Sequence, residues 1–191
     1  MSAPSTSPEL SAWLRALPAQ RGTAPALDTS GLPDAPELLF EQWIRGAVDA
    51  GVAEAHAATL ATVDERGMPD ARTLILKGVD ERGWAFASTR ESRKGAQLAA
   101  HPAAALNFWW QPVVRAVRVR GRVEEAPREE SAADLAARSA AAQEAVGADE
   151  WVLWRVVPER IEFWQGARDR HHTRIVYTRD AGDWSHTVTR D

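Results

Sequence analysis

The chain has 191 residues, of which 45% are apolar and 26% are charged, and its formal net charge at pH 7 is −4. This length and balance are typical of one globular domain with a buried core, and the negative charge disfavours a general nucleic-acid binder. Because there is no cysteine, disulfides, thiolate catalysis and Cys-based metal sites are excluded. The chain also lacks a signal-peptide pattern and any apolar run of the roughly 20 residues that span a bilayer. The absence of cysteine fits a cytoplasmic protein, which is our prediction.

Residues 1–33 are rich in Pro, Ala, Ser and Thr. This composition disfavours a packed core, although a short amphipathic piece lies around Leu10–Leu17. We therefore predict a mobile N-terminal arm over residues 1–33 and a single domain over residues 34–191.

A helix is predicted to open the domain. Asp34 precedes Glu37 by three residues, with Pro36 between them, which is the pattern of a capping box. Apolar residues then recur at helical spacing up to about Ala50, and Gly51 is a plausible stop. The apolar residues of this stripe are Leu38, Leu39, Trp43, Ile44 and Ala47.

Three strands of an antiparallel meander are predicted next. They are Ala57–Val63, Ala71–Lys77 and Trp84–Ser88, and each connecting turn contains the letters Asp-Glu-Arg-Gly. Glycine supplies the positive φ that such hairpin turns require. Ser92 is then expected to cap a helix that runs to about Ala100 and ends at His101-Pro102.

Two further strands are predicted at Ala104–Gln111 and Val114–Glu124. In the second, Arg118, Arg120 and Arg122 alternate with valines, so one face is cationic. This face is either a basic wall beside an anionic ligand or a solvated surface paired to acidic residues, and the second interpretation is the simpler one.

The C-terminal part is predicted to contain one helix and three strands. An alanine-rich helix is expected over Arg128–Val146, after Pro127 and before Gly147. A long strand, Trp151–Trp164, is interrupted near Pro158, and Ile175–Thr178 and Asp183–Val188 form a final hairpin. Many short strands with few helices and no βαβ alternation predict a mainly β (α+β) fold, an antiparallel barrel with peripheral helices.

One stretch has the character of a phosphate site. The strand Arg72–Lys77 begins and ends in a cation, and Arg93 and Lys94 follow Ser92 at a helix N-terminus. Backbone N–H groups and the helix dipole favour an anion there. The alternative is an edge strand with solvated charges followed by an ordinary capped helix.

Two separated motifs give the chain a family resemblance. Arg-x-x-x-Leu-Lys at 72–77, Phe86-Ala87-Ser88 and Glu91–Gly95 form the first, and Arg160–Gly166 followed by Arg170-His171-His172-Thr173-Arg174 forms the second. Together they resemble the pyridoxamine 5'-phosphate oxidase family over about residues 34–184. The resemblance implies an FMN-binding split β-barrel, a homodimer with FMN at the subunit interface, and an N-terminal segment that can fold over the active site.

The resemblance also implies a set of site residues. Arg72, Ser88, Arg93 and Lys94 would contact the phosphate of FMN, and Trp164 and Arg174 would approach from the partner subunit. Arg170 would clamp a small-molecule substrate over the flavin, and His172 would hydrogen-bond to it or assist proton removal, with Lys77 as a further substrate contact. The full set of cofactor contacts is Arg72, Thr73, Leu74, Ile75, Leu76, Lys77, Ala87, Ser88, Arg93, Lys94, Trp164 and Arg174. No metal is expected, because the pair His171-His172 has no third ligand at suitable spacing.

The chain departs from the family where the substrate's phosphate would bind. Aligned on Arg138 and Gln143, the family's Tyr, Arg and Ser fall at Asp134, Ala140 and Ala142. Asp134 would repel a phosphate, which leaves Lys77 as the remaining contact. Ala116 stands where the family has a flavin-contacting Gln, and the segment Gln143–Trp151 is too short to carry a further Gln-Ser pair.

The resemblance leaves three functions open. The first is an FMN-dependent oxidase of the pyridoxamine 5'-phosphate type, in pyridoxine biosynthesis, with hydride transfer to flavin and oxygen as acceptor. The second is an oxidase of an unphosphorylated aromatic metabolite, as in phenazine biosynthesis. The third is a flavin- or haem-binding module without turnover, whereas a nucleic-acid binder built on Arg118–Arg122 is disfavoured.

Overall fold

The computed structural model describes residues 8–147 and 149–191. Within these residues the chain forms eight strands in one antiparallel sheet, whose order is β3-β2-β1-β4-β5-β6-β7-β8, and β3 also pairs with β6. Strands β1 to β6 therefore close into a six-stranded barrel, which confirms the predicted fold. The strands are β1 (Ala57–Val63), β2 (Pro69–Asp80), β3 (Gly83–Thr89), β4 (Ala103–Trp110), β5 (Arg115–Glu125), β6 (Trp151–Gln165), β7 (Thr173–Asp180) and β8 (Asp183–Arg190).

Five helices accompany the barrel in the described part of the chain. They are α1 (Pro8–Ala16), α2 (Pro36–Asp49), α3 (Arg93–Ala100), α4 (Arg128–Ala136) and α5 (Ala140–Glu144), and a single 3-10 turn lies at Gln111–Val113. Helix α3 is capped by Ser92 as predicted. Helix α4 packs on the outer face of β6, where Leu135 is buried.

The core is rich in aromatic rings, because α2 packs two large aromatic side chains against those of the barrel. Phe40 of α2 makes edge contacts with Trp84 and Phe108, at centroid distances of 5.8 and 5.1 Å. Trp43 makes a similar contact with Phe163 at 5.3 Å. Each such side chain, fully buried, stabilises the fold by roughly 1.5–3 kcal/mol. The predicted apolar stripe of α2 therefore faces the core, with Leu38 left outside at 50% exposure.

Two helix predictions are wrong in detail. Asp34 does not cap α2, because Ala35 is the last extended residue before Pro36 and no side chain caps the helix. The predicted helix Arg128–Val146 is broken into α4 and α5 between Ala137 and Ser139. At the break, the side-chain amide of Gln143 donates to the carbonyl oxygens of Ala136 and Arg138, so side-chain contacts replace the continuous helix that alanine would otherwise favour.

The interruption predicted near Pro158 takes the form of an irregularity within a continuous β6. The register between β5 and β6 shifts between Arg120 and Gly121, and Gly121 lies opposite Pro158. A Cβ atom on Gly121 would lie 2.0 Å from the carbonyl oxygen of Val157, so only glycine allows this close approach.

The segment before α2 follows the barrel surface. The backbone N–H of Thr23 donates to Pro112 O at 2.8 Å, and Gln165 Nε2 donates to Pro25 O at 3.0 Å. The Tyr177 hydroxyl donates to Pro33 O at 2.7 Å. These contacts place the segment beside β6 and β7, while the mobility of the arm and a boundary at residue 33 stay predictions.

Candidate functional site

The first group of predicted site residues surrounds the start of α3 and consists of Arg72, Ser88, Arg93 and Lys94, the phosphate-end group. Ser92 Oγ accepts from the backbone N–H of Gly95 at 3.2 Å and lies 2.9 Å from Ser88 Oγ. Because β3 leads almost directly into α3, these hydroxyls lie at a helix N-terminus, where free N–H groups attract anions. A Cβ atom on Gly95 would lie 2.1 Å from the carbonyl oxygen of Arg90, so the turn requires glycine there.

Two cations of the phosphate-end group, Arg93 and Lys94, lack a close anion. Burial lowers the pKa of Lys94, and the like charge of Arg72 lowers it further. Among the described residues, Lys94 has no carboxylate partner, and the Arg93 side chain is 83% exposed with Asp70 only at 3.9 Å. A bound phosphate would neutralise both cations, so these residues fit the phosphate of FMN.

Arg72 is held differently from the other cations. It lies directly opposite buried Leu60 in the register of β1 and β2, so its side chain points inward at the end of the barrel. Its guanidinium donates to Gln97 Oε1 at 2.9 Å and to Thr62 Oγ1, and pairs with Asp70 at 2.8 Å. Arg72 is therefore fixed next to Lys94 before any ligand binds.

The remaining predicted contacts on β2 and β3 divide between the two faces of the sheet. Leu74 and Leu76 pack against the barrel core, and Ala87 packs with Leu153 and its neighbours. The side chains of the two leucines are therefore partly buried, and their backbone atoms lie in the strand beside Thr73 and Ile75. Thr73, opposite exposed Thr59, and Ile75, opposite Ala57, occupy the alternate positions of β2 and face away from the core.

Lys77 lies beside helix α4 and is paired with a carboxylate. Its amine is 3.8 Å from Asp134 Oδ1, and Asp134 Oδ2 accepts from the Trp151 indole at 2.8 Å. The guanidinium of Arg138 lies over the Trp151 ring, 4.2 Å from its centroid. Arg138 therefore lies near Asp134 and Lys77 through its contact with Trp151, a neighbour relation that the sequence does not show.

Arg170 and His172 are presented by a tightly connected loop between β6 and β7. Arg170 has a φ of 67°, a left-handed conformation that side chains rarely adopt, and its N–H donates to Ala167 O at 3.1 Å. Asp169 Oδ1 accepts from the N–H of His171 at 3.0 Å. These contacts hold the backbone of the loop, and the exposed side chain of Arg170 extends from it towards solvent.

The ring of His172 is oriented by the same loop. Its Nδ1 accepts from the backbone N–H of Ala167 at 3.1 Å, so the proton of the neutral ring is assigned to Nε2. The ring also lies against Trp164, at a centroid distance of 5.0 Å. His172 therefore offers a hydrogen-bond donor, Nε2–H, to a ligand.

A groove of about 740 Å³ runs past this loop. Arg170 and His172 line one side, and Ala19, Gln20 and Arg21 of the N-terminal segment line the other. The segment before α2 thus forms part of the wall beside the two residues predicted to contact substrate.

The second group of predicted site residues belongs to a row across four strands, which we call the aromatic face. Trp109 of β4 pairs with Ala116 of β5, Ala116 pairs with Trp164 of β6, and Trp164 pairs with Arg174 of β7. Each of the four has a fully buried neighbour in sequence, which is Phe108, Val117, Phe163 or Ile175, so their side chains lie on the outside of the sheet. They line a shallow groove of about 290 Å³ together with Arg118 and Glu162.

Glu162 is a buried carboxylate beneath the aromatic face. Its side chain is 6% exposed and accepts from Arg118 at 2.5 Å and from Arg160 at 2.9 Å, and it pairs with Arg174 at 3.4 Å. Burial alone would raise the pKa of Glu162, but hydrogen bonds from Arg160 and Arg118 outweigh it and hold the pKa below its usual range. The ionised carboxylate therefore fixes two of the cations that rim the groove.

The two groups are separate within one protomer. Trp164 and Arg174 lie where β6 pairs with β7, whereas β3 pairs with residues 151–156 at the other end of β6. Among the described residues, no hydrogen bond or ion pair joins the phosphate-end group to the aromatic face. Within the described part of one protomer, the two groups therefore share no contact that would join them into one site.

Three other features considered from the sequence are the cationic face of β5, a metal site and a membrane-spanning helix. On the cationic face of β5, Arg118 is bonded to Glu162 and Arg122 to Glu124, as expected for a surface paired to acidic residues. In the part of the chain that the structure describes, no cluster of three His, Asp or Glu side chains could hold a metal ion. The described helices include none with the length and apolar character to cross a membrane.

Comparison with protein families gives two matches. Residues 44–165 match the family described as pyridoxamine 5'-phosphate oxidase. Residues 151–188 match the pyridoxine 5'-phosphate oxidase C-terminal dimerisation region. The second match contains Trp164, Arg170, His172 and Arg174.

Two curated relatives are similar over most of their length. The pyridoxine/pyridoxamine 5'-phosphate oxidase of Burkholderia ambifaria is 40% identical, over 86% of this chain and 92% of the relative. That of Burkholderia multivorans is 41% identical, over 82% of this chain and 87% of the relative.

Two solved structures share the fold. PhzG from Burkholderia lata 383, in complex with tetrahydrophenazine-1-carboxylic acid, has a TM-score of 0.80 and 25% identity, over 89% of this chain and all of that one. A pyridoxamine 5'-phosphate oxidase-related, FMN-binding protein from Nostoc punctiforme has a TM-score of 0.62 and 19% identity, over 84% of this chain and all of that one. At this identity the second likeness concerns the fold alone.

Proposed function

Since the chain belongs to the pyridoxamine 5'-phosphate oxidase family, we propose that it is an FMN-dependent oxidase that works as a homodimer. Each flavin would be bound by the phosphate-end group of one subunit and the aromatic face of the other. The observation that carries the proposal is the phosphate-end group itself, a capped helix start with a partly buried lysine that lacks an anion among the described residues. The family's C-terminal dimerisation region, matched at residues 151–188, supports the second half of the proposal.

The proposed reaction is oxidation of a carbon that bears an amine or a hydroxyl group. Bound FMN would supply hydride acceptance and reoxidation by oxygen. Arg170, held in its left-handed conformation, would clamp the substrate, and His172 would donate a hydrogen bond from Nε2 to a substrate oxygen or nitrogen. Because Nδ1 is already occupied by the Ala167 N–H, a donor role fits this ring better than a base role.

The surroundings of Lys77 bear most directly on whether the substrate carries a phosphate. In the main proposal, Lys77 and Arg138 face the phosphate of pyridoxamine or pyridoxine 5'-phosphate, as the names of the 40% identical relatives suggest. In this proposal the enzyme would take part in pyridoxine biosynthesis and would be located in the cytoplasm.

A second candidate is favoured by one specific contact. Asp134 already pairs with Lys77, and a carboxylate at this point opposes a phosphate. An unphosphorylated aromatic substrate would avoid that repulsion, and PhzG, which shares this fold, was solved with an unphosphorylated ring acid. A flavin-binding module without turnover is the remaining alternative.

The decisive experiment is an anaerobic titration of the FMN-loaded dimer, followed by its visible flavin absorbance. Pyridoxamine 5'-phosphate and tetrahydrophenazine-1-carboxylic acid are added in separate titrations, and air is then admitted. Bleaching by the first that recovers with air supports the main proposal, and bleaching by the second alone supports the second candidate. A flavin that stays oxidised with both would favour the binding module, and a protein that binds no FMN would refute the cofactor assignment.

A further inference from the structure

Trp109 is a large apolar side chain without cover. It projects from the outer face of β4, and 46% of its surface is exposed. Its neighbours in sequence, Phe108 and Trp110, are buried in the core. An indole left on a sheet surface beside a groove is typical of a binding surface, because its apolar area is stabilised only when something covers it.

The indole of Trp109 is not free to turn at random, because it leans towards Trp164. The two residues are separated by strand β5, and two strand spacings amount to about 9.6 Å. Their ring centroids are only 6.1 Å apart, with an interplanar angle of 48°. The residue between them is Ala116, whose methyl group leaves the room into which both rings incline. A larger side chain at this position would separate the rings.

The edge of this two-ring wall is cationic. Arg118 and Arg174 line the same groove, and both are bonded to Glu162 beneath it. Two indoles with cations at one edge suit a flat aromatic ring that carries carbonyl oxygens or negative charge. The groove is too shallow, at about 290 Å³, to enclose such a ring alone.

A second copy of this chain can supply the other wall. Trp164 and Arg174 lie inside the matched C-terminal dimerisation region. Strand β5, which carries Ala116, pairs directly with β6 of this region, and β4, which carries Trp109, pairs with β5. We propose that Trp109 is a flavin-binding residue that acts across the dimer: its indole, with that of Trp164, contacts the isoalloxazine ring of the FMN bound by the partner subunit. The proposal rests on the proposed function above, since it assumes FMN as the ligand.

The test is FMN binding by the dimer, measured through the quenching of tryptophan emission and through equilibrium dialysis. Trp109→Ala is compared with Trp109→Phe and with a matched control, Trp13→Ala, which removes an indole of similar exposure from α1. Loss of a ring contact is expected to weaken FMN binding about tenfold in Trp109→Ala, while Trp109→Phe stays within about twofold of wild type. Trp13→Ala is expected to bind FMN as the wild type does.

The outcomes separate this proposal from the proposed function. A wild-type protein that binds no FMN refutes the proposed function. A wild type that binds FMN, with Trp109→Ala binding equally well, overturns only the role of Trp109. If Trp109→Ala fails to fold, Trp109→Phe decides: FMN must quench a smaller share of its tryptophan emission than in wild type, and an unchanged share overturns the proposal.

Discussion

The phosphate-end group and the aromatic face are built in different ways. Most of the phosphate-end group lies within the eight residues Ser88–Gly95, where a strand, a turn and a helix start follow one another. The aromatic face is assembled from four strands, and its members meet only because the registers of β4 to β7 bring Trp109, Ala116, Trp164 and Arg174 into one row.

This difference has an energetic consequence. The cations at the start of α3 are exposed or lack a partner, so their removal is expected to change ligand binding more than folding. The aromatic face instead rests on the buried charge of Glu162, so changes beneath it are expected to affect the fold as well. If the proposed flavin site is divided in this way, FMN binding should respond separately to changes in each group.

The largest expected effect comes from the phosphate-end group. Arg93→Ala with Lys94→Ala removes two charge-assisted contacts, each worth about 1.5–3 kcal/mol, so FMN affinity should fall about 100-fold or more. Equilibrium dialysis with FMN measures the loss. The charge-matched control is Arg45→Ala with Arg66→Ala, two exposed cations on α2 and in a hairpin turn. If the control weakens binding equally, general charge and not this group attracts the phosphate.

The second effect concerns the aromatic face. Glu162→Gln leaves Arg118, Arg160 and Arg174 without their shared carboxylate, and we expect the free energy of unfolding to fall by about 3 kcal/mol. Urea denaturation at neutral pH measures this, with Glu125→Gln as the control, because Glu125 makes only a surface pair with Arg90. That control should lose less than about 1 kcal/mol. Equal losses in both variants would show that the buried carboxylate has no special weight.

The difference in stability between wild type and Glu162→Gln should depend on pH. Because the folded-state pKa of Glu162 lies below its unfolded value, its stabilising contribution is present above the unfolded-state pKa and is lost as the pH falls through the folded-state value. The stability gap between wild type and Glu162→Gln should therefore close below about pH 4. A gap that persists in strong acid would contradict the assignment.

The third effect concerns the ion pair between Asp134 and Lys77, where the phosphate of the proposed substrate would bind. Asp134→Asn keeps an acceptor for the Trp151 indole but releases Lys77 from its carboxylate. If the pair opposes a phosphate, the variant should bind pyridoxamine 5'-phosphate about five- to tenfold more tightly, which is the effect expected of one partly exposed charge. Isothermal titration measures the affinity, and Asp149→Asn, an exposed carboxylate paired with Arg128, is the control. Unchanged binding would remove Asp134 from the substrate site.

The smallest effect concerns the contact between β7 and the segment before α2. Tyr177→Phe removes the hydrogen bond to Pro33 O and should cost about 1 kcal/mol. Burial, with a smaller contribution from Asp34, raises the pKa of Tyr177 to about 12. This contribution is therefore complete below about pH 10, the unfolded-state value, and is lost as the pH rises towards 12. Urea denaturation of both proteins at neutral and alkaline pH should show the gap closing only at the alkaline end.

The two regions also differ in how much of them the sequence predicts. Ser92 as a cap, the strand Arg72–Lys77 and the two hairpins depend on neighbours in sequence, so local patterns place them correctly. The capping box at Asp34 fails because Pro36 fixes the helix start one residue later than the pattern suggests. The break between α4 and α5 depends on Gln143 folding back on Ala136 and Arg138, which alanine propensity cannot show.

Contacts between distant segments were beyond the sequence patterns. Arg138 over Trp151, Asp134 against Lys77 and Trp109 beside Trp164 each require the register of strands that are far apart in the chain. The predicted strand Ala104–Gln111 does not show that Ala116 lets Trp109 reach Trp164. The roles of the individual site residues in binding flavin and substrate stay predictions.

The most direct test of a flavin site shared between subunits is a mixed dimer. One subunit carries Arg93→Ala and Lys94→Ala, and the other carries Trp164→Ala and Arg174→Ala. We expect each variant alone to bind FMN poorly at both sites. In the mixed dimer, one of the two flavin sites has an intact phosphate-end group and an intact aromatic face. The account therefore predicts one tightly bound FMN per dimer. A mixed dimer that forms but binds no FMN tightly would contradict a site built from two subunits.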